Sequence, residues 1–103
     1  LEAAGHTVRV LNMRSLKPID VEAVLTAAKH TRVAFIVVED HFLSGGLCSI
    51  LAETFLAHGI APKRFLPIAL DARWFKPALL DELLEYEGFT GAQIASRVIR
   101  EMF

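Results

Sequence analysis

The chain is short of the residues that mark a special environment. A single cysteine, Cys48, leaves no internal disulfide to form and fits a reducing compartment. Neither sign of charge dominates: 11 Lys and Arg stand against 12 Asp and Glu, with a sequence pI near 6.5. The basic field that nucleic acid or an anionic membrane needs is therefore missing. No apolar run approaches the ~20 residues of a membrane span, and the first residues lack the charged and apolar regions of a signal peptide. Together these absences predict a cytoplasmic protein that binds neither nucleic acid nor membrane. The dinucleotide fingerprint G-x-G-x-x-G, the phosphate loop G-x-x-x-x-G-K-[ST] and the zinc motif H-E-x-x-H are all absent. So are internal repeats, low-complexity segments and any linker longer than a loop.

What is present is apolar. Hydrophobic residues make up 53% of the 103 and charged ones 22%, enough for one core but not two. The stretch that organises the rest is 32–47, RVAFIVVEDHFLSGGL. Val33, Ala34, Phe35, Ile36, Val37 and Val38 form an unbroken, β-branched run, the pattern of a strand covered by helices on both faces. The polar cluster Glu39, Asp40 and His41 then reads as a loop, and Ser44, Gly45 and Gly46 lead into a helix. In open α/β sheets ligands collect where strands end and helices begin, so chemistry is sought here first.

The remaining chain alternates strand and helix. Residues 1–5 read as the last turn of a helix closed by Gly5, and 7–11 as a short strand in which Val8 and Val10 alternate with Arg9. Pro18 ends the polar connection after it. Asp20 is placed to cap a helix whose apolar face is Val21, Val24, Leu25 and Ala28, with Lys29 and His30 at its negative end. Leu47, Ile50, Leu51, Thr54 and Phe55 keep helical spacing until Gly59. Residues 63–70 predict a third strand, short or at an edge because Pro67 lacks a ladder donor. Irregular residues 71–77 lead to a short helix over 78–86, and Thr90 to Gln93 spell a capping box before a last amphipathic helix. Strands alternating with helices predict a three-layer α/β/α fold with a mainly parallel sheet and right-handed crossovers.

Four landmarks stand in one order: Leu16-Lys17-Pro18-Ile19-Asp20, Val37-Val38-Glu39-Asp40-His41, Gly45-Gly46-Leu47, and Gly88-Phe89-Thr90 before the last helix. In that order and spacing they resemble the C-terminal domain of the transketolase-like enzymes. That family includes transketolase, 1-deoxyxylulose-5-phosphate synthase and the beta subunits of 2-oxo acid dehydrogenase complexes. The resemblance covers nearly the whole chain and implies one transketolase C-terminal-like domain over 1–103, N-terminally incomplete because the family's first strand and helix are missing. The absent strand would lie between 7–11 and 32–39, so a gap or altered strand order is expected there. Residues 73–77 depart from the family's usual loop at this place.

The resemblance further implies a part of an enzyme that transfers two-carbon ketol units between sugar phosphates. The complete enzyme would use thiamine diphosphate and magnesium and work as a homodimer. This chain lacks the G-D-G motif that holds the cofactor, so no catalytic, cofactor-binding or metal-binding residue is assigned to it. Its expected role is to support the dimer and the remaining domains or subunit, and alone it is expected to be inactive. Two alternatives stand beside this: the C-terminal domain of a 2-oxo acid dehydrogenase beta subunit, or a stand-alone flavodoxin-like module that binds an anion or a protein.

Three groups of residues merit a place in the structure. Glu39, Asp40 and His41, with Ser44, Gly45 and Gly46, form either an anion site at a helix N-terminus or a loop tied down by its own caps. Cys48, near that N-terminus, is either an activated thiol or an inert buried one. Arg73, Trp74 and Phe75 are either an aromatic anchor at a subunit contact or a loop pinned to its own core.

Overall fold

The computed structural model describes residues 1–103. Its first α-helix, α1 (Val21–His30), begins where the Asp20 carboxylate accepts the Ala23 amide at 3.0 Å. Glu22 in its first turn and Lys29 and His30 in its last complement the helix dipole. Strand β1 (Phe35–Phe42) follows, then α2 (Leu47–Ala57), β2 (Phe65–Leu70), α3 (Leu80–Tyr86) and α4 (Gly91–Met102). Helix α2 is closed by Gly59, whose φ of +65° turns the chain so that the Ile60 amide reaches the Phe55 carbonyl at 2.9 Å. Helix α4 opens on the capping box: the Gln93 amide donates to the Thr90 hydroxyl, and the Thr90 amide to the Gln93 side chain at 3.0 Å.

The two strands run parallel, with Phe35 opposite Phe65 and Val38 opposite Ile68. Because successive side chains leave a strand on opposite faces, β1 and β2 each feed two separate cores. On one face Val37 packs with Val24 and Ala28 of α1 and with Leu51 and Phe55 of α2. On the other, Leu66 and Ile68 pack with Val98 of α4, and Ile36, Phe89 and Ile94 close around them. Val24 and Ile68, at 1% exposure each, mark the centres of the two layers. Helix, sheet and helix thus form the three-layer α/β arrangement that the alternating pattern predicts.

Two expectations are corrected. Residues 7–11 form no strand, and Val10 is 84% exposed. An extended segment with no neighbour to bond gains neither ladder hydrogen bonds nor coverage, and the sheet has two strands, not three. The side of β1 away from β2 carries no partner strand, so 7–11 and β1 are not hydrogen-bonded to one another. Second, Glu39, Asp40 and His41 lie inside β1, which runs on to Phe42; the Leu43 amide still donates to the Leu70 carbonyl at 3.1 Å. The ladder shifts register between Val38 and Phe42, and that irregularity is where polar residues are accommodated. The opening residues, by contrast, form the expected helix end as a single 3-10 turn, Glu2–Ala4, closed by Gly5 at φ +83° with its amide on the Glu2 carbonyl.

Candidate functional site

The polar corner is built by strand alternation. Glu39 lies two residues after Val37 and so points to the same side of the sheet, toward α2. There its carboxylate accepts the Leu47 amide at 2.7 Å and the Cys48 amide at 3.1 Å, two of the free donors at the start of α2. The approach is close because Gly46 has no side chain: a Cβ there would meet Glu39 Oε2 at 2.5 Å. Gly45, at φ +83°, occupies the left-handed region that a side chain disfavours, and its amide donates to Ser49 Oγ at 2.9 Å. The negative charge that a helix N-terminus attracts is thus supplied by the chain itself, from eight residues upstream.

The other members of the cluster do different things. Asp40 and His41 are exposed on the strand's end. His41 Nδ1 donates to the Phe42 carbonyl at 3.1 Å, and its ring meets the Phe42 ring edge-on at 5.9 Å. Ser44 is exposed beside the turn. A hollow of about 390 Å³ opens on the corner, lined by Glu39, Asp40, His41, Gly45 and Gly46 on one side and by Leu11, Met13, Leu16 and Val38 on the other. No three His, Cys, Asp or Glu side chains converge to hold a metal ion. The Cys48 thiol is held above its ordinary pKa, first by burial and then by the charge of Glu39. A helix N-terminus would lower it, but here the dipole is already met by a carboxylate.

The 71–77 loop is a second ordered feature. Arg73 forms an ion pair with Glu87, Nη2 lying 2.7 Å from one carboxylate oxygen and 2.5 Å from the other. The same guanidinium sits 4.5 Å from the centre of the Phe75 ring, which in turn stacks on Phe42 at 6.1 Å. Trp74, between these two braced residues, is 99% exposed. Phe75 thus pins the loop to the sheet's end, as one reading of the sequence has it, and Trp74 points away from it. Sequence reasoning missed Glu87, fourteen residues from Arg73, since no periodic pattern links them. It also missed Ser49, whose place four residues after Gly45 in a helical turn was the available signal.

With the geometry in hand, the chain can be set beside known proteins. A family model described as the C-terminal domain of transketolase matches residues 1–94. The chain belongs to the transketolase C-terminal domain family. A putative transketolase C-terminal section from Methanocaldococcus jannaschii is 33% identical over 102 residues, covering 99% of this chain and 31% of that protein. A 1-deoxy-D-xylulose-5-phosphate synthase from Geobacillus thermodenitrificans is 32% identical over 94 residues, 91% of this chain and 15% of the synthase. Among solved structures, a split-gene transketolase, described as an inactive beta4 tetramer, superposes with a TM-score of 0.81 at 31% identity, over 98% of this chain and 32% of that one. The chain thus spans a third or less of the length of these relatives. The family's three-layer fold is the one described above.

Proposed function

We propose that this chain is the C-terminal part of a cytoplasmic transketolase-like enzyme that transfers two-carbon ketol units between sugar phosphates and acts as a homodimer once complete. In this reading the domain stabilises the dimer and buttresses the sections that bind thiamine diphosphate and magnesium. The cofactor supplies the carbanion chemistry when bound, and in this reading it is held by residues outside this chain. The observation that carries this division of labour is Glu39. A diphosphate would need the free amides at the start of α2, and the Glu39 carboxylate takes two of them. Magnesium would need oxygen ligands converging on one point, and the acidic residues here do not converge. What remains is packing: two apolar layers, a self-capped helix and an exposed aromatic loop.

The test is reconstitution. The chain is mixed with the separately purified remainder of its enzyme, with thiamine diphosphate and magnesium, and ketol transfer from a ketose phosphate to an aldose phosphate is followed. Activity is expected only in the mixture. Turnover by this chain alone, or full activity of the remainder without it, would contradict the proposal.

A further inference from the structure

Trp74 is the chain's only tryptophan, and it is 99% exposed between two residues that are locked in place. The Arg73–Glu87 pair ties the loop to the C-terminal end of α3, and the Phe75–Phe42 stack ties it to the end of β1. The indole is therefore presented from a preorganised loop, which lowers the entropy lost when it is buried. Leu79, which precedes the adjoining helix, and Leu80 and Tyr86 on it are 73%, 63% and 75% exposed, and α3 has no buried residue. The molecule as a whole exposes 7568 Å², where a folded monomer of its mass exposes about 5,800 Å². That surplus is spread over the molecule, since Val8, Val10, Leu11, Leu16, Val33 and Leu56 are exposed as well, and the 71–86 face is one part of it.

Charge decides what covers this face. Between residues 71 and 87 stand five acidic side chains and two basic ones. Glu87 is consumed by Arg73, which leaves Asp71, Asp81, Glu82 and Glu85 exposed against Lys76 alone. Two copies of the chain meeting through this face would bring like charges together, a costly arrangement. We infer that the 71–86 face docks a protein partner of complementary chemistry, with an apolar pocket that receives the Trp74 indole and a rim of lysine or arginine that meets the acidic residues of α3. Resting on the reading above, that partner is the cofactor-bearing section of the same enzyme. Arg73 and Glu87 act as positioning residues for the indole.

Trp74 is its own reporter. The chain is titrated with the purified cofactor-bearing section in a form whose tryptophans are replaced by phenylalanine, so that indole excitation reads Trp74 alone, and affinity is measured independently by calorimetry. Docking is expected to move Trp74 emission to shorter wavelength, and added salt to weaken binding. Trp74→Ala is expected to weaken binding by about tenfold or more, with unchanged far-ultraviolet dichroism because the side chain packs on nothing. Glu87→Gln is expected to weaken it less, and to broaden the emission of free Trp74. Binding with Trp74 emission and affinity indifferent to these changes would overturn the docking face while leaving the enzyme assignment intact. Absence of binding, or self-association of the chain through Trp74, would overturn it as well.

Discussion

Removing the Glu39 carboxylate should loosen the start of α2, because two amides there would lose a charged acceptor in a half-buried place. Glu39→Ala is expected to cost about 1–2 kcal/mol, read as a fall of roughly 4–8 °C in melting midpoint for each kcal/mol. Gly46→Ala tests the same contact from the other side. The added methyl would displace the Glu39 carboxylate, so the substitution should be clearly destabilising in the native background and much milder with Glu39→Ala; a double-mutant cycle in denaturant reads the coupling. Cys48 responds to the same charge. Burial and Glu39 both favour the neutral thiol, so the thiol's contribution to stability is complete below the ordinary thiol pKa and is lost as pH rises through its raised value. Glu39→Gln removes the smaller of the two causes, and the pH profile of iodoacetamide alkylation should move to lower pH. A profile unmoved by that change would show that burial alone sets the thiol.

At the level of elements, the Thr90–Gln93 box is the most local device in the chain. Thr90→Ala should cost about 1 kcal/mol and should raise amide exchange selectively in the first turn of α4. Ile68, at 1% exposure, sits where β2 meets α4. Its truncation to alanine should cost roughly 2–5 kcal/mol, more than any change on the exposed face of the same helix. How far such elements can be read from sequence depends on whether their cause is local. Asp20, Gly59 and the Thr90–Gln93 box are nearest-neighbour signals, and each marks a real helix end. The run around Val37 is legible in part: Phe35 to Val38 fall in β1, with Ile36 and Val37 feeding opposite cores, while Val33 and Ala34 precede the strand and Val33 and Val38 are exposed. Residues 7–11 have no such local cause: alternation suits a strand, but a strand exists only if another chain segment lies beside it. The continuation of β1 through Glu39, Asp40 and His41 was hidden for the opposite reason. Three polar residues resemble a loop, but the ladder to β2 and the two α2 amides hold the first of them in extended conformation. Ser44–Gly45–Gly46 was legible as a tight connection, and the occupant of its amides was not, because Glu39 arrives through the pleat of the strand.

On the scale of the whole molecule, the chain is flat, 40 by 34 by 20 Å, with two small cores on either side of two strands. Its Cα radius of gyration is 14.3 Å, against about 13 Å for an ordinary domain of this length. A shape with so much uncovered surface suits a component that is completed by contact. Four ordered landmarks in the sequence led to the right family, since they record the helix cap, the covered strand, the tight turn and the final cap that together define this fold. The account's central claim is that this domain supports an enzyme whose cofactor is held elsewhere. Calorimetric titration of the chain with thiamine diphosphate and magnesium tests it most directly. The account predicts no heat beyond dilution, with Glu39 still seated on the Leu47 and Cys48 amides, whereas a saturable isotherm of one-to-one stoichiometry would contradict it.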